Sequence, residues 1–227
     1  MTIEVRHYEF NESGKDYVVG DIHGEFRKLR SLLEEINFDF KKDRLFSVGD
    51  LCDRGSHSED ILKWMNYDWF VPVMGNHEVM ILNHFYGYLD EDFMRKLKAT
   101  WFLDLKKAQK EKVVRYFNSL PVAIEIKNEN KKVGIVHAMC PLNSWDDFKK
   151  YLYSENKQEM ANKAMWSFLA DTKINYVNGI DAIIVGHNTV PDCYLQENTY
   201  LLDTGSGYKT GRLTIFDLQK LEPIISK

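Results

Sequence analysis

The chain has little of what marks a secreted, membrane-spanning or nucleic-acid-binding protein. Cysteine is sparse: Cys52, Cys140 and Cys193 are the only three in 227 residues, and none forms a CxxC pair. That count and spacing argue against a zinc knuckle or a disulfide framework and favour a reducing compartment. No apolar run approaches the roughly 20 residues that span a bilayer. The opening MTIEVRHYEFNESGKD is charged and lacks the apolar core of a signal peptide. A cytoplasmic location with no membrane partner is expected. Basic excess is also missing: 30 Lys and Arg against 34 Asp and Glu give a net charge of −4, with no long basic tract. No electrostatic footprint for nucleic acid follows.

What is present is an ordinary globular composition, 44% hydrophobic and 28% charged. A length of 227 residues predicts one domain over 1–227, with enough chain to bury most of its apolar surface. Tyr17–Val19 reads as a short buried strand broken at Gly20. From Glu25 to Ile36, Phe26, Leu29, Leu32, Leu33 and Ile36 recur at helical spacing. A second strand, Arg44–Val48, runs into Gly49-Asp50. A helical face follows over Ser58–Tyr67, and a third strand, Phe70–Met74, ends at Gly75-Asn76. This strand–loop–helix alternation predicts an α/β fold.

The stretch 78–119 is helical in composition, and a cap beside the functional site is expected there. Strands are predicted at Val122–Ile126, Val133–Val136, Ala182–Val185, Tyr200–Leu202 and Leu213–Phe216, with mostly helix between Trp145 and Asn175. The simplest packing is a sandwich of mixed sheets flanked by helices.

Six polar residues follow these apolar runs: Asp21 and His23 in GDIHG, Asp50 in GDLCDRG, Asn76 in GNHE, His137 in GIVHA, and His187 in VGHN. At strand ends, segments distant in sequence can converge. Carboxylate, imidazole and amide donors together suit first-row ions such as manganese, iron, zinc or nickel. Two ions about 3.5–4 Å apart could clamp a phosphate during in-line displacement. Any one cluster is weak, but six in order look like a complete ligand set for two divalent metal ions.

GDxxDRG followed by GNHE is highly specific, and with it the chain resembles the phosphoprotein phosphatases among the calcineurin-like metallophosphoesterases. The resemblance is greatest to the phage-lambda type of bacterial and bacteriophage serine/threonine phosphatase. It runs from YVVGDIHG to DTGSGYKTGRLTIFDL and includes Trp101-Phe102 and LPVAIEI. It implies that Asp21 and His23 bind the first ion, that Asp50 bridges, and that Asn76, His137 and His187 complete the second. It further implies that His77 protonates the leaving alkoxide, that Asp53 orients His77, and that Arg54 grips the phosphate bidentately. Attack by a hydroxide shared between the ions, without a phosphoenzyme, is the implied reaction. A phosphoprotein or a small phosphoester or nucleotide is the implied partner.

Two positions depart from the family pattern. Met74 precedes GNHE, and Phe168 stands in MWSFLAD, where phosphate-binding arginines are expected. Charged hydrogen bonds contribute roughly 1.5–3 kcal/mol each, and a dianionic monoester would feel the loss most. Phosphomonoesters, including phosphoserine and phosphothreonine, remain the first expectation. A phosphodiesterase or dinucleoside polyphosphate hydrolase is the alternative, and an inactive metal-containing binding protein is a third reading. Lys163, Lys173, Lys209 and Arg212 are candidates to replace the missing charge.

Overall fold

The computed structural model describes residues 3–128 and 130–227; Met1 and Thr2 of the amino-terminal segment lie outside them. Among the described residues, eleven strands form two mixed sheets. The first runs β1 (Val5–Glu9), β5 (Ala123–Lys127), β6 (Lys132–Val136), β7 (Ala182–Val185), β9 (Thr199–Leu201) and β8 (Tyr194–Gln196). The second runs β11 (Glu222–Ser226), β10 (Thr214–Asp217), β2 (Asp16–Val19), β3 (Arg44–Ser47) and β4 (Phe70–Pro72).

Alternate side chains of each strand enter different cores, as a period of two requires. Val18 and Phe46 of one sheet meet Ile124, Ile135 and Ile184 of the other in the layer between them. Tyr17, Val19 and Leu45 turn the opposite way and join Phe26, Leu29 and Leu33 of α1 (Phe26–Glu35). Burial on both faces explains why these strands read as continuous apolar runs. Each fully buried Val, Leu or Phe contributes about 1.5–3 kcal/mol relative to exposure.

The expected helical stretch divides into α3 (Asn76–Phe85), α4 (Glu91–Lys96), α5 (Thr100–Asp104) and α6 (Lys107–Ser119). Ser58–Tyr67 holds a 3-10 turn and a single helical turn, α2 (Ile61–Trp64), rather than one helix. The late helical interval is α7 (Trp145–Leu152) and α8 (Lys157–Trp166), and irregular backbone begins at Ser167, sooner than expected. Strands β1, β8 and β11 were not expected from the sequence. No helix among the described residues is long and apolar enough to cross a membrane.

The topology places the site. Strands β2, β3 and β4 are mutually parallel, as are β6, β7 and β9 in the other sheet. Asp21 and His23 follow β2, Asp50 follows β3, and Asn76 follows β4. His137 and His187 follow β6 and β7. All six therefore lie beyond the carboxyl ends of parallel strands, where open α/β sheets hold ligands.

Candidate metal centre

The structure brings all six expected ligands together at the rim shared by the two sheets. Asp50 is central: its Oδ1 lies 3.3 Å from His137 Nε2, and its Oδ2 lies 3.7 Å from His23 Nε2. Two groups of potential metal donors, His23–Asp50–His77 and Asp50–His137–His187, share this one carboxylate. Asp21 Oδ2 is 3.9 Å from His23 Nε2, and the Asp21 carboxylate accepts the backbone N–H of His187 at 3.1 and 3.2 Å.

The imidazoles are oriented from behind. His23 Nδ1 donates to Cys52 O at 3.0 Å, and His137 Nδ1 donates to Val48 O at 2.7 Å. Each bond fixes the tautomer and turns the Nε2 lone pair toward the cluster, as outer partners of metal-bound histidines do. The Asn76 amide lies 2.8 Å from His137 Nε2 and 3.1 Å from His187 Nδ1. His187 Nε2 is buried with no hydrogen-bond partner among the described residues. With the amide oxygen facing inward, acceptors meet acceptors here. A cation satisfies such an arrangement, so these donors fit a pair of divalent ions.

Electrostatics agree. Burial, then the charges of Asp203 and Asp50, pushes the Asp21 carboxyl well above its ordinary range. Burial also opposes ionisation of Asp50, but His137, His77 and His23 outweigh it and hold that carboxyl low. His23 is driven well below the usual imidazole value by burial and by His77. His187 falls to about 4, through burial and His137. Neutral His23 and His187 are in the state that metal binding requires, and the crowding that raises the Asp21 carboxyl is what a bound cation would relieve.

Backbone geometry is unusual at these positions. His23, Asp50, Asp53, Arg54 and His187 all have positive φ, between 45° and 74°, and they are five of nine such non-glycine residues among those described. Left-handed backbone costs energy in L-residues and concentrates at functional sites. The tight turns also demand glycine: a Cβ at Gly186 would lie 1.9 Å from Asp21 Oδ1, and one at Gly75 2.3 Å from Asp50 Oδ1. Glu78, the last residue of GNHE, accepts from the backbone N–H groups of Asp50, Leu51 and Gly75, each at 2.9 Å. It thereby ties two ligand loops together. Burial, then the charge of Asp50, raises its carboxyl to about 8.

His77 opens α3 beside Asn76. Its Nδ1 donates to Asp53 Oδ2 at 2.8 Å, and its Nε2 stands 3.8 Å from Asp50 Oδ2. Burial works against the charged imidazole, but Asp50 and the bond to Asp53 overcome it and raise its pKa. Arg54 Nη1 donates to His23 Nε2 at 2.6 Å, and its guanidinium lies 5.1 Å from the Tyr208 ring centre. Phe168 packs over His187 with ring centres 4.5 Å apart. Met74 is fully buried in the core, so its position contributes packing. Lys163 pairs with Glu159 at 2.7 Å, and Arg212 pairs with Asp192 at 2.5 Å. Both pairs are solvent-exposed and hold their cations only weakly.

Sequence reasoning assigned no role to Trp101, Glu78, Asp203 or Tyr208. Trp101 and the DTGSG turn stood out as landmarks, but their partners are distant in the chain. Trp101 Nε1 donates to Asp53 Oδ1 at 2.6 Å, which brings the cap onto the carboxylate that holds His77.

These strand-end donors and the two facing sheets define a metal-dependent phosphoesterase. The chain belongs to the calcineurin-like phosphoesterase family, whose sequence profile matches residues 17–220. It is 34% identical over 211 residues to serine/threonine-protein phosphatase 2 of Escherichia coli (strain K12), covering 89% of this chain and 92% of that one. A symmetrical bis(5'-nucleosyl)-tetraphosphatase of Coxiella burnetii is 33% identical over 141 residues, 61% of this chain and 46% of that one. The solved structure of a candidate diadenosine tetraphosphatase superposes with a TM-score of 0.71 at 22% identity, covering 100% of this chain and 98% of that one. The protein is thus a hydrolytic metallophosphoesterase related to the lambda-type bacterial serine/threonine phosphatases. An inactive binding protein is not the reading this family supports.

Proposed function

We propose that this enzyme hydrolyses phosphomonoesters, phosphoserine and phosphothreonine in proteins among them, at two divalent ions held by Asp21, His23, Asp50, Asn76, His137 and His187. The observation that carries this reading is Asp50, the carboxylate common to both donor groups. The donor set suits manganese, with iron, zinc or nickel as other occupants. When bound, the ions would supply Lewis-acid activation of the phosphoryl group and a nucleophilic water.

The chain's own residues supply the remaining steps. Asp53 receives the Nδ1 proton of His77 in a hydrogen bond, which leaves Nε2–H of the imidazolium to protonate the departing alkoxide. A positioned acid of this kind contributes roughly 10²–10⁴-fold. Arg54, the cation nearest His23, orients the phosphate through paired N–H donors. Extensive similarity to proteins named serine/threonine phosphatase favours a phosphoprotein substrate.

A second reading, a phosphodiester or a dinucleoside polyphosphate, draws on one observation. The ring of Phe168 occupies a position beside His187 where a charged phosphate ligand was expected. The two separate on manganese-loaded protein given a phosphoseryl peptide, a bis-aryl phosphodiester and a dinucleoside tetraphosphate side by side. The peptide is expected to give the highest kcat/KM. Turnover of either other substrate well above it overturns the first reading.

A further inference from the structure

Phe168 has one face fixed and much of its surface open. His187 lies under the ring at 4.5 Å with a 40° tilt, while 49% of the residue remains exposed. Tyr208, also exposed, is already engaged by the Arg54 guanidinium. Two residues before Phe168, Trp166 closes α8 and lines a groove of about 580 Å³ between α3 and α8. The groove also carries Tyr86 and the amides of Asn83, Asn118, Gln158 and Asn162, with no charged side chain among its lining residues. His77 and Asn76 start the helix that forms one wall of this groove.

A cation beside His187 would neutralise a phosphate oxygen; a phenyl ring cannot. It offers instead a flat apolar face at the edge of the centre. Most of the groove's amides are already paired, Asn118 donating to Tyr86 and Gln158 to Asn162, which leaves the ring as the contact open to a ligand. We propose that this centre prefers phosphoesters that carry a neutral aromatic ring next to the phosphate, with Phe168 as the stacking face. This inference rests on the phosphomonoesterase reading and narrows its substrate class. The ring can come from a tyrosyl side chain or from a nucleobase; ring-free seryl esters are then substrates of higher KM.

Phenylphosphonate and methylphosphonate test this without bond cleavage, so leaving-group chemistry does not enter. Calorimetry on the manganese-loaded protein should show phenylphosphonate binding roughly tenfold more tightly, the scale of one aromatic stack. Phe168→Leu keeps an apolar side chain over His187 but removes the ring, and the preference should fall to about twofold or less. Phe168→Ala should behave likewise. Because the residue is half exposed, both variants should retain wild-type far-UV circular dichroism and metal content. An equal preference in wild type and Phe168→Leu overturns the proposal, as does no preference in wild type.

The source of the ring is read from KM. A phosphotyrosyl peptide is compared with its phosphoseryl counterpart, and a nucleoside 5'-monophosphate with ribose 5-phosphate. A lower KM for the ringed member of either pair supports the inference and names the source; equal values in both pairs overturn it. Failure to hydrolyse any ester despite bound metal would instead remove the phosphomonoesterase reading beneath it, while the phosphonate preference still judges the ring.

Discussion

The indole Nε1 of Trp101 donates to Asp53 Oδ1 at 2.6 Å, while Asp53 Oδ2 accepts from His77 Nδ1 at 2.8 Å. One carboxylate therefore joins helix α5 of the cap to the imidazole at the start of α3. Trp101→Phe preserves the ring and deletes the donor. The expected result is a roughly tenfold fall in kcat on a seryl phosphate, whose poor leaving group needs the acid. Turnover of 2,4-dinitrophenyl phosphate, which needs no proton, should change less than about twofold. A uniform loss on both substrates would mean that Trp101 only packs the cap.

His77 is expected to be dispensable for metal binding and required for the reaction. His77→Asn should lower kcat on a phosphoseryl peptide by roughly 10²–10⁴-fold. Metal content by atomic absorption should stay near wild type. Loss of metal in step with activity would instead make His77 a ligand, as its place in the His23–Asp50–His77 group allows.

The central carboxylate should couple metal binding to stability. At a free manganese concentration near 100 times Kd, one site adds about 2.7 kcal/mol. For a chain of this size that corresponds to a rise in Tm of roughly 5–10 °C. Chelation should reverse it, and Asp50→Asn should abolish most of it. An unchanged melting curve on chelation would contradict the assigned ligand set.

Arginine at position 168 should restore a phosphate contact. Phe168→Arg is expected to lower KM for a seryl phosphate by roughly tenfold, the lower end of a charged hydrogen bond. Steady-state kinetics on one peptide suffices, and an unchanged or raised KM would show that the side chain cannot reach the phosphate.

Acid stability should depend on a residue far from the centre. Glu125 of β5 accepts from Lys149 Nζ at 2.6 Å and from Trp145 Nε1 at 2.7 Å. Burial opposes its ionisation, but Lys149 and Trp145 outweigh that and hold its carboxyl below the usual value. Because the folded pKa is depressed, the stabilisation is full above the ordinary carboxyl value near 4.5 and disappears as pH falls through the folded value. Glu125→Gln should cost about 1–3 kcal/mol at pH 7, and progressively less as the pH falls through the depressed folded value. Denaturant melts at pH 7 and in acid measure both, and a pH-independent difference would count against this account.

The candidate ligands were legible in the sequence because each follows a strand buried on both faces. Val18-Val19 and Ile183-Ile184 are continuous apolar runs, and the polar residue after such a run is conspicuous. Strand β1 was not legible: its burial alternates only partly, and its partner β5 lies more than a hundred residues away. Edge strand β8, with Tyr194 and Leu195 exposed, carries little apolar signal. Trp101 was visible, but its meaning lies in a bond to a residue 48 positions earlier. The pairing of Arg212 with Asp192, 20 positions earlier, was likewise invisible in the sequence.

The left-handed backbone at His23, Asp50, Asp53, Arg54 and His187 sets stability against function at single positions. Glycine at any of them would relieve roughly 1 kcal/mol of backbone strain. It would also remove a donor, the partner of the acid or the guanidinium over His23. Drift toward a more stable metal-free chain therefore erodes the catalyst first. Variants selected for thermal endurance without metal should gather glycines at these turns and lose hydrolysis while the two sheets stay intact.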